Sequence, residues 1–123
     1  MSEERGKAMV VAMFLMGLLL QCGWAHSTSY TVGDSTGWVL GVAGWENGKN
    51  FTAGDTLVFK YIAARHNVVV VDKSSYDSCT VPPKAKIYNS GNDELCLTKG
   101  PNYFICGVPG HCQAGMKIAP IAA

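Results

Sequence analysis

Near the end of the chain, Cys106, His111 and Met116 follow one another at five-residue steps. Gly107, Pro109 and Gly110 lie between the thiol and the imidazole, so the segment is a loop rather than a helix. Thiolate and thioether are soft donors that suit Cu(I), whereas imidazole suits Cu(II) as well. A site that holds both oxidation states wants both kinds of donor. A plane of two imidazoles and one thiolate, with a weak axial thioether, would use all three residues and one more histidine. His66, forty residues before Cys106, is the candidate for it. The plainer reading makes Cys106 and Cys112 disulfide cysteines, His111 a loop residue and Met116 core. The order Cys, His, Met on one tight loop favours the metal, because each donor is of the right type and none is spare.

These residues need a rigid frame, and the rest of the chain reads as one made of strands. Ser29–Val32 alternates and ends at Gly33-Asp34. Thr56–Tyr61 puts Leu57, Phe59 and Tyr61 on one face and Thr56, Val58 and Lys60 on the other, the pattern of a strand buried on one side. Asn67–Val71 is β-branched and almost continuous, a well-buried strand with His66 at its mouth. Further short strands are expected at Lys86–Tyr88, around Leu95–Leu97, at Tyr103–Cys106 and from Met116 to Ile118, where Pro120 stops the last of them. Trp38 and Trp45 lie among glycines between Thr36 and Gly48 and must pack on the core. No amphipathic helix is evident after residue 27, although the 36–48 and 73–90 regions could hold short helical turns. Short strands with regular turn signals indicate an all-β sandwich or barrel.

The totals restrict the function. A chain of 123 residues makes one small domain, and a formal net charge of +1 gives no electrostatic case for a nucleic-acid partner. Residues 1–27 read as a secretory signal peptide that is cleaved. Arg5 and Lys7 precede an apolar run, Met9–Leu20, which is too short for a bilayer span of about 20 residues and suits a signal core. Cleavage sites are available after Ala25 and after Ser27, so Cys22 leaves with the leader and residues 28–123 form the mature domain. Ile118–Ala123 is shorter than the apolar tail that precedes a lipid anchor, so no membrane anchor is expected in the mature chain. Asn50-Phe51-Thr52 is an N-glycosylation sequon, which makes Asn50 a candidate for a glycan in a secreted chain.

Four cysteines then stay: Cys79, Cys96, Cys106 and Cys112. If Cys106 binds metal, at most one bridge forms among the other three. Leu95 and Leu97 face the core, which turns Cys96 outward. Cys79 and Cys112 both sit in connections and are the pair expected to bridge, stabilising by about 3–4 kcal/mol. Cys96 is left as an unpaired thiol. The competing arrangement adds a Cys96–Cys106 bridge and has no metal.

Taken together, the segments Tyr30–Gly33, Gly37-Trp38, Phe51–Tyr61 with Ala53-Gly54-Asp55, His66–Val69, Tyr76–Cys79 and Asn102–Cys106 through His111-Cys112 to Met116–Ile118 resemble the phytocyanins. These are plant blue copper proteins, and the plantacyanin or basic blue type is the nearest likeness. The resemblance implies a cupredoxin-like Greek-key β-sandwich and one type 1 copper on His66, Cys106, His111 and Met116. It implies the Cys79–Cys112 disulfide as well. The axial Met, where the stellacyanin type carries Gln, fits the plantacyanin or uclacyanin type, and the absence of an anchor tail points to the plantacyanins. Cys96 departs from the family, which usually has a polar residue without a thiol there. The resemblance implies association with acidic cell-wall polymers, although the charge of +1 is modest for a type called basic.

The expected function is a secreted, extracellular carrier of single electrons that cycles between Cu(II) and Cu(I). Its redox partner is an unidentified protein or small molecule, and the chain is expected to be a monomer. Asn67 is a candidate to orient or tune the thiolate, or else to cap the following strand. By resemblance to other blue proteins, His111 is the electron port. An enzyme is disfavoured: only three histidines are present, and four ligands leave no open metal position. The alternative is an extracellular-matrix signalling or binding module in which copper redox is secondary.

Overall fold

The computed structural model describes Cys22 and residues 27–123. Apart from Cys22 and Ser27, the expected leader therefore lies outside the described residues. Among those described, nine strands and one short helix follow in order: β1 Ser29–Thr31, β2 Thr56–Lys60, β3 Val68–Val71, α1 Lys73–Ser78, β4 Lys86–Tyr88, β5 Asn92–Cys96, β6 Gly100–Pro101, β7 Tyr103–Ile105, β8 Lys117–Ile118 and β9 Ile121–Ala122. They form a sheet in the order β1-β2-β5, a second in the order β4-β3-β7-β8, and a ribbon of β6 with β9. β1 runs parallel to β2, and the other ladders are antiparallel.

Side-chain alternation explains why the two sheets face each other. Leu57 and Phe59 of β2 point inward and are fully buried, meeting Val68, Phe104 and Ile118 of the second sheet in one core cluster. Each such side chain contributes about 1.5–3 kcal/mol relative to exposure. Trp38 closes this core, edge-on to Phe59 with ring centroids 5.0 Å apart. Phe59 in turn leans on Phe104 at 5.2 Å. Trp45 is only half-buried and packs against Phe51. The alternate residues of the second sheet, Val69 and Ile105, turn to its other face. There Cys112, Tyr76 of α1, Cys79 and Val81 cover them, so this sheet is buried on both sides at its centre. Val70 departs from the expectation of a well-buried strand: it is 40% exposed, because it opens into the cleft between β4 and β5 at the unsealed side of the sandwich.

Polar contacts fix the ends of the strands. The buried Asp55 carboxylate accepts from the Thr28 and Thr52 N–H groups, both at 2.9 Å, which seats the start of β1 beside the start of β2. Asp72 caps α1 by accepting the Ser75 N–H at 2.8 Å, and the helix stops at Cys79 in the left-handed conformation.

After β2, the Tyr61 hydroxyl donates to the buried Asp93 carboxylate, which also accepts from Ser90 Oγ at 2.6 Å. This anchors the origin of the loop that leads to His66. Burial, and then the bond to Asp93, push the Tyr61 phenol up to about 12. A folded-state value above the ordinary value of about 10 means that the neutral phenol stabilises the fold fully below about pH 10 and that this contribution is lost as pH rises through 12. Spectrophotometric titration of the protein should accordingly show a tyrosine that ionises near 12, with denaturant stability declining over the same window. Tyr61→Phe should remove both features. A Tyr61→Phe protein that keeps the late-ionising group would show that Asp93 does not hold this phenol.

Candidate metal centre

The strand periodicity that buries Phe104 also turns Cys106 inward, two residues further along the same face. Cys106 is 1% exposed and Met116 is fully buried, both in the main core cluster. The β7–β8 pairing runs one step past the strands: the Cys106 N–H donates to the Met116 carbonyl at 3.0 Å. The Met116 N–H donates to the His111 carbonyl, also at 3.0 Å. The ladder therefore closes the loop 107–115 at its base and sets His111 above Cys106. His66 comes from the other loop, between β2 and β3, where its N–H donates to the Ile62 carbonyl at 3.2 Å.

The sequence placed these residues forty apart, and the fold brings them to one point. His66 Nδ1 lies 3.1 Å from His111 Nδ1, and Cys106 Sγ lies 3.5 Å from His111 Nδ1. The three donor atoms all fall within 4.8 Å of one another, and no carboxylate belongs to the group. Two ring nitrogens and a buried sulfur suit a soft or borderline transition metal, not the oxygen-seeking Ca²⁺ or Mg²⁺. Desolvation, followed by the neighbouring His111 and Arg65, pushes the His66 imidazole below its ordinary value. That favours the neutral ring, whose lone pair is free to ligate.

Three tethers hold the loop 107–115, and the first joins it to the loop that carries His66. The Asn67 side-chain oxygen accepts the Gly107 N–H at 2.6 Å. Its backbone carbonyl accepts from Trp38 Nε1 at 2.9 Å. Asn67 thus joins the residue after Cys106 to the residue after His66. Among the described residues, no hydrogen bond links its amide to Cys106 Sγ. Gly107 has no room for a side chain: a Cβ there would lie 2.9 Å from Val69 Cγ2 and 3.2 Å from the Asn67 oxygen. On the other flank, the Gly41 N–H donates to the Ala114 carbonyl at 3.1 Å and the Ala43 N–H to the Gly115 carbonyl at 2.9 Å. The sequence reading assigned no site role to Trp38 or Gly107. The signal available in the sequence was a glycine directly after a candidate ligand, which often marks close backbone approach.

The third tether is covalent. Cys79 is bridged to Cys112, with Cα atoms 5.6 Å apart, beside His111. The bridge closes a separation of 33 residues and pins the segment after α1 over Ile105. Cys106 is the free cysteine. The unpaired Cys96 is expected of the chain without its leader, which lacks Cys22; in the uncut chain Cys96 is bonded to Cys22. The register gives the reason. Cys96 pairs with Thr56, and Thr56 with Ser29, so the half-buried Cys96 lies level with the start of β1. Residue 22 precedes that start by seven positions and can reach the outward-facing thiol.

Both imidazoles are half-buried and line a cleft of about 520 Å³ with Val39, Leu40, Arg65 and Val108. The sulfur is sealed in the core, while the ring edges meet the surface. The described residues include no helix long and apolar enough to cross a membrane.

A two-sheet sandwich that closes a thiol–imidazole loop over a second imidazole at one pole is a cupredoxin-like architecture. The family model for the plastocyanin-like domain matches residues 38–116. Chemocyanin of Lilium longiflorum is 52% identical over 122 residues, which cover 99% of this chain and 97% of the lily protein. Among solved structures, cucumber basic protein, a blue copper protein, superposes with a TM-score of 0.77 at 50% identity, covering 78% of this chain and 100% of that one. Spinach plantacyanin gives 0.71 at 51% identity, with the same coverage. The chain belongs to the plastocyanin-like family, in its phytocyanin branch of the basic blue type.

Alkylation and mass mapping of the full-length chain should find Cys22 linked to Cys96, Cys79 linked to Cys112, and Cys106 alone modified after denaturation. In a chain cut after Ala25 or Ser27 and freed of its leader by mild reduction, Cys96 should be modified as well. A Cys96–Cys106 link would overturn both the pairing and the metal centre.

Proposed function

We propose that this chain is a secreted carrier of single electrons that holds one copper ion on His66, Cys106, His111 and Met116. The observation that carries the reading is the convergence of the two Nδ1 atoms and the Cys106 sulfur within 4.8 Å, on a loop tethered from three sides. Bound copper supplies a one-electron couple between Cu(II) and Cu(I). The protein's part is to keep the donors fixed. His66, His111 and Cys106 would be the strong ligands. Met116, buried beside Cys106, would be the weak fourth donor, a soft thioether that favours the reduced state.

Fixing the loop through Asn67, the Gly41 and Ala43 contacts, and the Cys79–Cys112 bridge limits how far the ligands move when the charge of the site changes. A small movement means a small reorganisation barrier. The cysteine side chain is excluded from solvent, whereas the imidazole edges reach the cleft floored by His66 and His111, so electrons enter and leave there. Leu40 and Val108 beside the rings allow close, dry approach of a redox partner, and no further reaction is assigned to the site. The extracellular location rests on the leader reading and on the disulfides, which persist in oxidising compartments.

Copper-loaded protein should be intensely blue through charge transfer from the Cys106 thiolate, and Cys106→Ser should abolish the colour. A blue Cys106→Ser protein would remove Cys106 from the site. Met116→Gln should keep the colour, because the three strong ligands are untouched. It should lower the reduction potential, because an amide oxygen is harder than a thioether and favours Cu(II). Voltammetry with a parallel thermal melt checks this. A lower melting point with an unchanged potential would make Met116 ordinary core. A copper-free, folded His66→Ala protein that retains full biological activity would favour the signalling-module alternative.

A further inference from the structure

At the pole of the sandwich away from the metal centre, the segment before β2 carries chemistry that electron transfer does not use. We propose that Asn50 is an N-glycosylation site and that its glycan projects from the end of the molecule opposite the His66–His111 cleft. Asn50-Phe51-Thr52 is the only Asn-x-Ser/Thr sequence among the six asparagines of the chain. The fold gives it the geometry that a glycan requires. Phe51 is 4% exposed, stacks edge-on with Tyr30 at 4.9 Å, and forms a parallel bridge with Ala122. Its carbonyl accepts the Ala123 N–H at 2.9 Å. With Phe51 turned into the core, the flanking side chains of Asn50 and Thr52 both turn out to solvent. Among the described residues, neither of these side chains makes a hydrogen bond that a glycan would break. The backbone is held instead, by the Thr52 N–H on Asp55 and by Tyr30 Oη on the Asn50 carbonyl.

Position follows from the ladder. The pairs Cys106/Met116, Phe104/Ile118, Asn102/Pro120 and Gly100/Ala122 step down the sandwich from the metal centre to the C-terminal strand that Phe51 touches. Six residues of extended chain span about 20 Å. A glycan at Asn50 therefore leaves the cleft open and covers the exposed rim around Tyr30 and the chain end.

In the transfer, Asn50 Nδ2 loses a proton and bonds to the anomeric carbon of an oligosaccharide. The bond from that carbon to its polyisoprenyl diphosphate carrier breaks, and the diphosphate leaves. No oxidation is involved, and both the oligosaccharide donor and the transferase belong to the secretory pathway. The inference rests on the leader reading for access to that pathway, and the experiment separates the two.

The full-length chain is expressed with its own leader in a mammalian secretory line. In parallel, residues 28–123 are expressed behind an unrelated signal peptide. Intact mass should show a shift by one glycan, removed by peptide N-glycosidase F with conversion of Asn50 to Asp and uptake of heavy oxygen from labelled water. Asn50→Gln and Thr52→Ala should lose the shift, and Thr52→Ser should keep it. After copper loading, Asn50→Gln should be as blue as the parent. A secreted, blue parent with unmodified Asn50 from both vectors overturns the site. A glycan only from the unrelated signal peptide upholds the site and overturns the leader reading.

Discussion

The hydrogen bond from the Gly107 N–H to the Asn67 side chain is the constraint on which the candidate metal centre depends. It links two loops that are forty residues apart in sequence, and it does so at the positions directly following Cys106 and His66. A bond of this kind adds only about 1 kcal/mol to global stability. Its importance lies in where it acts. Without it, Gly107 could move off Val69, and Cys106 and His66 would lose their common reference. Trp38 doubles the restraint by donating to the carbonyl of the same asparagine while filling the core below it. Hydrophobic packing and ligand positioning thus meet in one residue, Asn67.

The layers of the sandwich sort the donors by chemistry. Period-two alternation sends Phe104, Cys106, Met116 and Ile118 to the inner face, so both sulfur donors fall in the driest part of the molecule. The nitrogen donors come from loops above the sheet ends and stay half-exposed. Softness and burial therefore increase together from the surface inward. The Cys79–Cys112 bridge protects the opposite face of the same sheet, covering Val69 and Ile105 where a small domain has few residues left to do so. Its loop-closure contribution of about 3–4 kcal/mol is comparable to one or two buried aliphatic side chains.

Much of this was legible before any coordinates. The alternation of Leu57, Phe59 and Tyr61 and the β-branched run after His66 mark β2 and β3, and the donor types on the late loop led to His66 as their partner. Outward-facing Cys96 was legible from Leu95 and Leu97. Its bond to Cys22 was not, because the parallel register of β1 on β2 that sets Cys96 level with Ser29, seven residues after Cys22, is a long-range property with no local signature. The exposure of Val70 was hidden for a similar reason: the composition of β3 shows a buried strand, but only the arrangement of β4 and β5 shows which of its residues faces an open cleft. Tyr61 looked like one more apolar position, yet its hydroxyl and Asp93 form a polar anchor at the start of the His66 loop.

The stepwise ladder from Cys106/Met116 down to Gly100/Ala122 also has a practical meaning for anyone attaching this molecule to a solid support. A linker fused after Ala123 leaves from the base of the sandwich, about 20 Å of extended chain below the imidazoles. Grafted to an electrode by that end, the domain stands with its ring edges facing the solution, and direct electron tunnelling to the metal surface must cross the whole sandwich. Attachment through the cleft rim at Leu40 would reverse the orientation and bring the conductor within contact of the rings.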